Sequence, residues 1–542
     1  MGFKTAEIGR FTFEVDADLY GRGQLADTLG LSACASDIDC IVAAYERWGR
    51  DCPRHLSGDF AFVADDHTSG DIFAARDHIG VRPLYYMLVD GKPRFATSIR
   101  DLAQGELPEI DEAVAAGYLL DHSFFSYDRT LLKGIRKVPP GHCLHWSEGD
   151  LRIEQYWHPT QLPELELRND EEYVSRGREV FDQAVRDRSF PDRGGLGVHV
   201  SGGLDSSAIA ALACKHRRES GLPDPVGFSW QMWSADSPSS DEAGWIAAMQ
   251  AQLGIDVVFD RPTKQQALDL FKLDLACDYN VGNAFNESIV QEAAAKRDVT
   301  RILSGWGGDE FLTFNGRGLP LEYARTGQWR KLAGLTNSDG LRGVAKGLLL
   351  ARYEKNRARK ATVSEAKLAK TFLSEDILHR VEPPTIAPLS LSSARGTQLE
   401  LLQAGHITAR LEDWAEMGAR TGIRYAFPML DKRVMEFALS VPVHLFQRGN
   451  ERRWLFREMM RGVLPESVRM NHSKQEPARV SDIKAATFDA MKEIGEGLGP
   501  PADYRRGRYI DVRRLKRELT SSDLENNGSF AHLRLALQFL DH

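Results

Sequence analysis

Two glycine-rich junctions constrain the fold of this chain more than any other feature. The first is LGVHVSGGLDSSAIAALA, Leu196 to Ala213: an apolar run, then Ser-Gly-Gly-Leu-Asp-Ser-Ser, then a run of small helix formers. The apolar run predicts a buried strand and the alanine-rich run a helix. Glycines between them let the backbone turn tightly and approach a ligand with no Cβ in the way. The helix start offers free N–H groups and the positive end of a dipole, an anion site best suited to a phosphate or pyrophosphate. No Gly-Lys-Ser/Thr follows at the required spacing, so this is not a Walker A loop. The second junction, SGWGGDEF (Ser304 to Phe311), also follows a predicted strand. Each junction carries an aspartate, Asp205 and Asp309, and two hard carboxylates beside a triphosphate suit Mg²⁺. Taken singly, Asp205 could cap a helix and Asp309-Glu310 could start another. Two such loops at strand ends of one sheet favour the metal reading.

The surroundings fit that sheet. Strands are expected near Gly195–Val200, Val226–Ser229, Ile255–Phe259 and Arg301–Leu303, with helical stretches between them. Such alternation predicts a parallel, doubly wound α/β sheet with ligands at the carboxyl ends of its strands. Ahead of it, FAFVADD, DIFAARD and LYYMLVDGKPRFATS are short β-type runs separated by turn residues such as Asp90-Gly91. They predict an antiparallel α+β domain. The expected division is a domain over 1–158, a linker over 159–172 and a second domain over 173–542, mostly amphipathic helix after Gly327 and without repeats. The 542 residues are 42% apolar and carry a net charge of −8, so no general attraction to nucleic acid or an anionic membrane is expected. Six cysteines without CxxC spacing argue against structural zinc and a disulfide framework and suit a reducing cytoplasm. The N-terminus has no apolar signal core, and no run approaches membrane-spanning length.

The whole SGGLDSS element resembles the pyrophosphate loop of the ATP pyrophosphatases, which split ATP into AMP and pyrophosphate. Together with SGWGGDEF and YAFPMLDKRVMEFA (Tyr425 to Ala438), it resembles the asparagine synthetase family over nearly the whole chain. LSGDFAFVADD, ARDHIGVRPLYY and PPGHCLHW resemble that family's class II glutamine amidotransferase domain. The resemblance implies an N-terminal amidotransferase-like (Ntn-type) sandwich followed by an ATP-pyrophosphatase domain with a largely helical C-terminal part. It implies that a carboxylate attacks the α-phosphorus of ATP to give an acyl-adenylate, from which an amine displaces AMP. ATP would be held by Val200, Ser201, Gly202, Gly203, Asp205, Ser206, Ser229, Ser304 and Gly305, and Mg²⁺ by Asp205 and Asp309. Lys474 matches the family lysine that stabilises charge on the phosphates and the collapsing adenylate. Asp431 sits in the family's P-x-L-D element, where internal pairing is expected.

Departures from the family pattern shape the expected reaction. The family's glutaminase nucleophile is a cysteine after the initiator Met; here position 2 is Gly2 and the nearest cysteine is Cys34. Its glutamine-gripping Asn-Gly-Glu segment is unrecognisable in DADLYGRGQLADTLG. The first domain is therefore expected to be a structural module that does not hydrolyse glutamine. Trp306 stands where asparagine synthetases carry glutamate and β-lactam synthetases tyrosine. An indole is a donor only and cannot be a base, so a pocket-lining role is expected over core packing. Relatives without the glutaminase cysteine take an amine already present in the substrate, as β-lactam synthetases and lasso peptide cyclases do. SGWGGDEFLTFNGRG, with Trp306, Asn315 and Arg317 as pocket residues, and GFSWQMW look most like the lasso cyclases. Trp230 and Trp233 suit a peptide substrate or belong to the core. Glu416 is a candidate base from its place before YAFPMLD in ring-closing relatives.

The leading expectation is thus macrolactam closure of a peptide, an Asp or Glu side chain joined to the N-terminal amine, with a leader-binding protein and a leader peptidase as partners. The competing readings are an asparagine synthase using ammonia or glutamine, a β-lactam-synthetase-like ligase, and an inactive scaffold. Intact Ser201, Asp205, Asp309 and Lys474 argue against the scaffold.

Overall fold

Short alternating runs at the start of the chain pair into two antiparallel sheets. The computed structural model describes residues 2–32, 34–103, 108–120, 126–191, 193–230, 241–258, 260, 263–272, 281–336, 340–360, 370–381, 389–472, 482–521 and 530–540. The strands are β1 (Lys4–Ile8), β2 (Phe11–Leu19), β3 (Gly58–Asp66), β4 (Ile72–Arg76), β5 (Tyr85–Val89), β6 (Lys92–Ala96), β7 (Ile135–Lys137), β8 (His142–Ser147) and β9 (Asp150–Gln155). One sheet runs β1-β2-β3-β4-β8-β9 and the other β6-β5-β7. The predicted Asp90-Gly91 turn joins β5 to β6, both residues at positive φ (52° and 80°), as a tight hairpin requires. Alternation along β3 sends Ala61 and Val63 into the layer with Leu84 and Tyr86, while Phe60 and Phe62 join the core that includes helix Asp37–Trp48.

The second sheet is parallel throughout. Its strands are β10 (Gly195–His199), β11 (Val226–Phe228), β12 (Val257–Val258), β13 (Val299–Leu303) and β14 (Arg424–Ala426). The order β12-β11-β10-β13-β14 makes the β10/β13 boundary the point where the winding reverses. The two glycine-rich junctions follow those two strands, so the topology itself places them at the switch point. Strand β14 adds an element to the sequence reading, which had mostly helix beyond Gly327. Three residues are too short for a period to show; their pairing with β13, Ile302 opposite Tyr425 and Leu303 opposite Ala426, defines the strand.

The two halves share one apolar core, which runs from Phe13 and Phe60 through Phe181 and Val198 to Leu430. Buried ion pairs cross the boundary. Arg76, fully buried, meets Glu412 at 2.8 Å, and Lys137 meets the same carboxylate at 2.9 Å. Asp18 and Asp16 of β2 take Arg301 (2.5 Å) and Arg424 (2.9 Å). Charges this deep are tolerated because each has a partner. Among the described residues no helix is long and apolar enough to cross a membrane.

Candidate active site

The chain leaves β10 at His199 and turns through Val200, Ser201 and Gly202, whose φ of 68° lies in the left-handed region that glycine tolerates. Gly203 then precedes helix Leu204–Glu219. The loop is held by its own serines. The Ser201 and Ser206 hydroxyls are 2.9 Å apart, and the Ser201 hydroxyl accepts from the Gly203 N–H at 3.3 Å. The loop after β13 lies directly against it. A Cβ on Gly305 would stand 2.9 Å from the Ser206 nitrogen, and one on Gly308 2.5 Å from an Asp205 carboxylate oxygen. Gly305 and Gly308 leave room for the two loops to touch, while Gly307, at φ 90°, packs against Leu430.

Between the loops opens a cavity of about 220 Å³. Of the residues expected to bind ATP, Val200, Ser201, Gly203, Asp205, Ser206, Ser229, Ser304 and Gly305 line it. Gly202 shapes the turn without appearing on the wall. Asp205 and Asp309 both face the cavity, and Asp205 accepts from the Thr313 hydroxyl at 3.1 Å. Asp309 pairs with Arg453. This donor set fits a hard cation held by one or two carboxylates and completed by phosphate oxygens. No cluster of three or more metal-ligating side chains occurs among the described residues.

The other end of the cavity is aromatic. Trp306 lines it, as does Trp230, which the sequence left open between pocket and core, and Phe228 lies beside them. The guanidinium of Arg410, from helix His406–Thr421, lies 3.7 Å from the Trp306 ring centroid. Burial pulls this arginine down from its ordinary value, opposed by Asp413, Glu287 and Glu310. Trp233 and Lys474 fall outside the described residues. The chain just ahead of Lys474 is anchored by Arg457, which donates to the carbonyls of Asn471 (2.7 Å) and Arg469.

Three expected site residues stand elsewhere. Glu416 is on the same helix as Arg410 but faces the boundary between the halves, near Asp16, Arg82 and Arg424, and pairs with Arg420 at 3.6 Å. Six residues turn a helix through roughly 240°, which carries Glu416 off the cavity side. Asn315 and Arg317 build a turn: the Asn315 side chain accepts from the Arg317 N–H at 3.1 Å, leading to Gly318 ahead of helix Leu319–Arg325. They are not among the cavity's lining residues. Asp431 is the internal anchor it was expected to be. It is buried against Arg188 (2.6 Å) and Arg433 (2.7 Å) and caps helix Lys432–Ser440.

Sequence reasoning missed Arg410, Arg453 and His199 on the wall. Arg453 sits at φ 60°, a strained conformation for a residue with a Cβ. No local signal marks any of the three; His199 ends β10 just ahead of the loop, and the fold brings Arg410 and Arg453 in from distant segments.

Comparison with known proteins supplies a frame. The family described as Asparagine synthase matches residues 176–539, and Glutamine amidotransferase domain matches residues 12–157. The chain is 30% identical over 310 residues to Amidase chyE of Penicillium rubens, covering 54% of this chain and 44% of that protein. It is 26% identical over 452 residues to Asparagine synthetase (glutamine-hydrolyzing) 3 of Bacillus subtilis, covering 80% of this chain and 69% of that one. Asparagine synthetase (glutamine-hydrolyzing) 1 of the same organism is 24% identical over 478 residues, covering 81% and 70%. The chain thus spans less than half the length of the first relative and a little over two thirds of the other two.

Proposed function

This chain belongs to the asparagine synthase family, and from that premise we propose that it is an AMP-forming ligase. It activates a carboxylate with ATP as an acyl-adenylate, releases pyrophosphate, and passes the acyl group to an amine with release of AMP. The observation that carries this reading is the cavity at the β10/β13 switch point, where SGGLDSS and SGWGGDE meet wall to wall. Backbone N–H groups at the start of helix Leu204–Glu219, with the Ser201 and Ser206 hydroxyls, suit the phosphates. Asp205 and Asp309 would hold Mg²⁺, which supplies charge neutralisation to the pyrophosphate leaving group. Lys474 would add a fixed cation. Arg410, spread on Trp306, suits a substrate carboxylate approaching the α-phosphorus.

The relatives named asparagine synthetase (glutamine-hydrolyzing) support a first reading, asparagine formation with aspartate as the carboxylate and ammonia or glutamine as the nitrogen source. The aromatic walls, Trp306 and Trp230, favour a second reading: ring closure of a lasso precursor peptide, its Asp or Glu side chain joined to its own N-terminal amine. A leader-binding protein and a leader peptidase would then precede this step.

The test is ATP–pyrophosphate exchange with aspartate or with a leaderless peptide, followed by mass spectrometry of the products. AMP with asparagine supports the first reading, and AMP with a peptide short of one water the second. ADP as product, or unchanged exchange in Asp205→Asn, overturns the ligase.

A further inference from the structure

We propose that His199 accepts the proton of the attacking amine and that Glu287 holds it in the state to do so. The proposal rests on the ligase reading above and names the base for its second half-reaction. His199 is the last residue of β10, one step before the phosphate loop, lines the cavity and is 5% exposed. Glu287, on helix Val281–Ala295, is fully buried. Its carboxylate accepts three hydrogen bonds, from His199 Nε2–H at 3.0 Å, from Trp230 Nε1–H at 3.0 Å and from the Tyr425 hydroxyl.

Trp230 and Tyr425 already donate to the two oxygens of this carboxyl group, so toward His199 it acts as the acceptor. That fixes the imidazole tautomer: the proton sits on Nε2 and the lone pair on Nδ1. Nδ1 is buried and has no hydrogen-bond partner among the described residues. The ring cannot easily turn to find one, because Trp230, Trp414 and Tyr425 pack around it with centroids 5.0, 5.7 and 6.1 Å away. A buried, unmade hydrogen bond costs about 1–3 kcal/mol. An aromatic residue of the same size would fill this space without that cost, so packing alone does not account for a histidine here.

The other wall residues offer no substitute. Trp306 has only a donor, Arg410 is a cation, and Asp205 and Asp309 belong to the phosphate end. Glu416 faces another pocket. Among the described residues, His199 is therefore the side chain on the aromatic wall of the cavity with a lone pair to offer. In the step itself the amine lone pair forms the C–N bond at the acyl carbonyl, and the C–O bond to AMP breaks with its electron pair leaving on the phosphate. The displaced N–H proton goes to His199 Nδ1, and the imidazolium is balanced by the Glu287 carboxylate at Nε2.

His199→Gln tests this, because glutamine keeps an N–H donor for Glu287 but is no base. With the carboxylate substrate, ATP–pyrophosphate exchange stays within about twofold of wild type. Amide formation falls by roughly 10²–10³-fold, and acyl-adenylate accumulates in quenched reactions. Glu287→Gln shows the same split at about tenfold. Hydroxylamine, a strong nucleophile that is neutral at pH 7, captures the adenylate in both variants with less than about a fivefold loss. Exchange and amide formation falling together would make the pair structural, and amide formation staying near wild type would remove His199 from the step. Either result overturns the proposal. Absence of exchange in the wild-type protein would instead sink the ligase reading on which it rests.

Discussion

The guanidinium of Arg410 lies 3.7 Å from the centroid of the Trp306 ring, on the wall that faces the phosphate loop. One residue comes from the loop after β13 and the other from a helix about a hundred residues later, so this stacked cation is a product of the tertiary fold. A face-on arginine over an indole contributes about 0.5–2 kcal/mol, and the indole holds the guanidinium plane for a two-pronged contact with an anion.

Arg410→Lys keeps the charge and loses the plane. The carboxylate substrate's KM in ATP–pyrophosphate exchange is expected to rise about tenfold, with the KM for ATP little changed. Trp306→Ala does the same through loss of the platform. Equal KM values in wild type and both variants would place the pair off the substrate's path.

Gly305→Ala sets a Cβ 2.9 Å from the Ser206 nitrogen and 3.2 Å from the Asp205 carbonyl carbon, backbone that cannot step aside. The two loops must part, and exchange is expected to fall at least tenfold, about 1.4 kcal/mol in the barrier. Gly497→Ala, with nothing within 4 Å, is the matched control and leaves exchange unchanged.

Glu412 carries the boundary between the halves. Burial raises its carboxyl, but Lys137 and Arg76 outweigh that and hold it below the usual range. Glu412→Ala strands two buried cations and is expected to cost about 3–5 kcal/mol in urea unfolding. A loss under 1 kcal/mol would mean that water reaches Arg76 and Lys137.

His78 adds a pH signature to the same boundary. Its Nε2–H donates to the Leu430 carbonyl at 2.8 Å, and burial pushes the imidazole down to about 4. A depressed value stabilises the folded state at pH values above the unfolded one, about 6.5, and that stabilisation is lost as pH falls toward 4. Acidification from pH 7 to 4.5 is expected to cost the wild type about 2–3 kcal/mol through this group. His78→Gln keeps the donor without titrating, so its stability falls less over that interval in urea titrations at each pH. Identical slopes in both proteins would remove His78 as the source.

Fold class and the two glycine-rich loops of the cavity were legible in the sequence because they are written in local chemistry. A strand, a glycine turn and a helix start are consecutive, so SGGLDSS and SGWGGDE carry their geometry with them, and alternation of helix and strand implies the parallel sheet that brings them together. Hairpin turns such as Asp90-Gly91 are local in the same way. The acceptor end was not legible. Arg410, His199, Glu287 and Tyr425 come from four segments, and each alone reads as an ordinary helix or strand residue. Glu416 shows the converse: its place in the chain put it near the site, and the turn of its helix carried it to the other side. Strand β14 exists because β13 offers it an edge, which no window of three residues can announce. What neighbours in sequence decide, the sequence states; what is decided by packing between distant segments, where burial and pairing select one partner among many, only the tertiary structure settles.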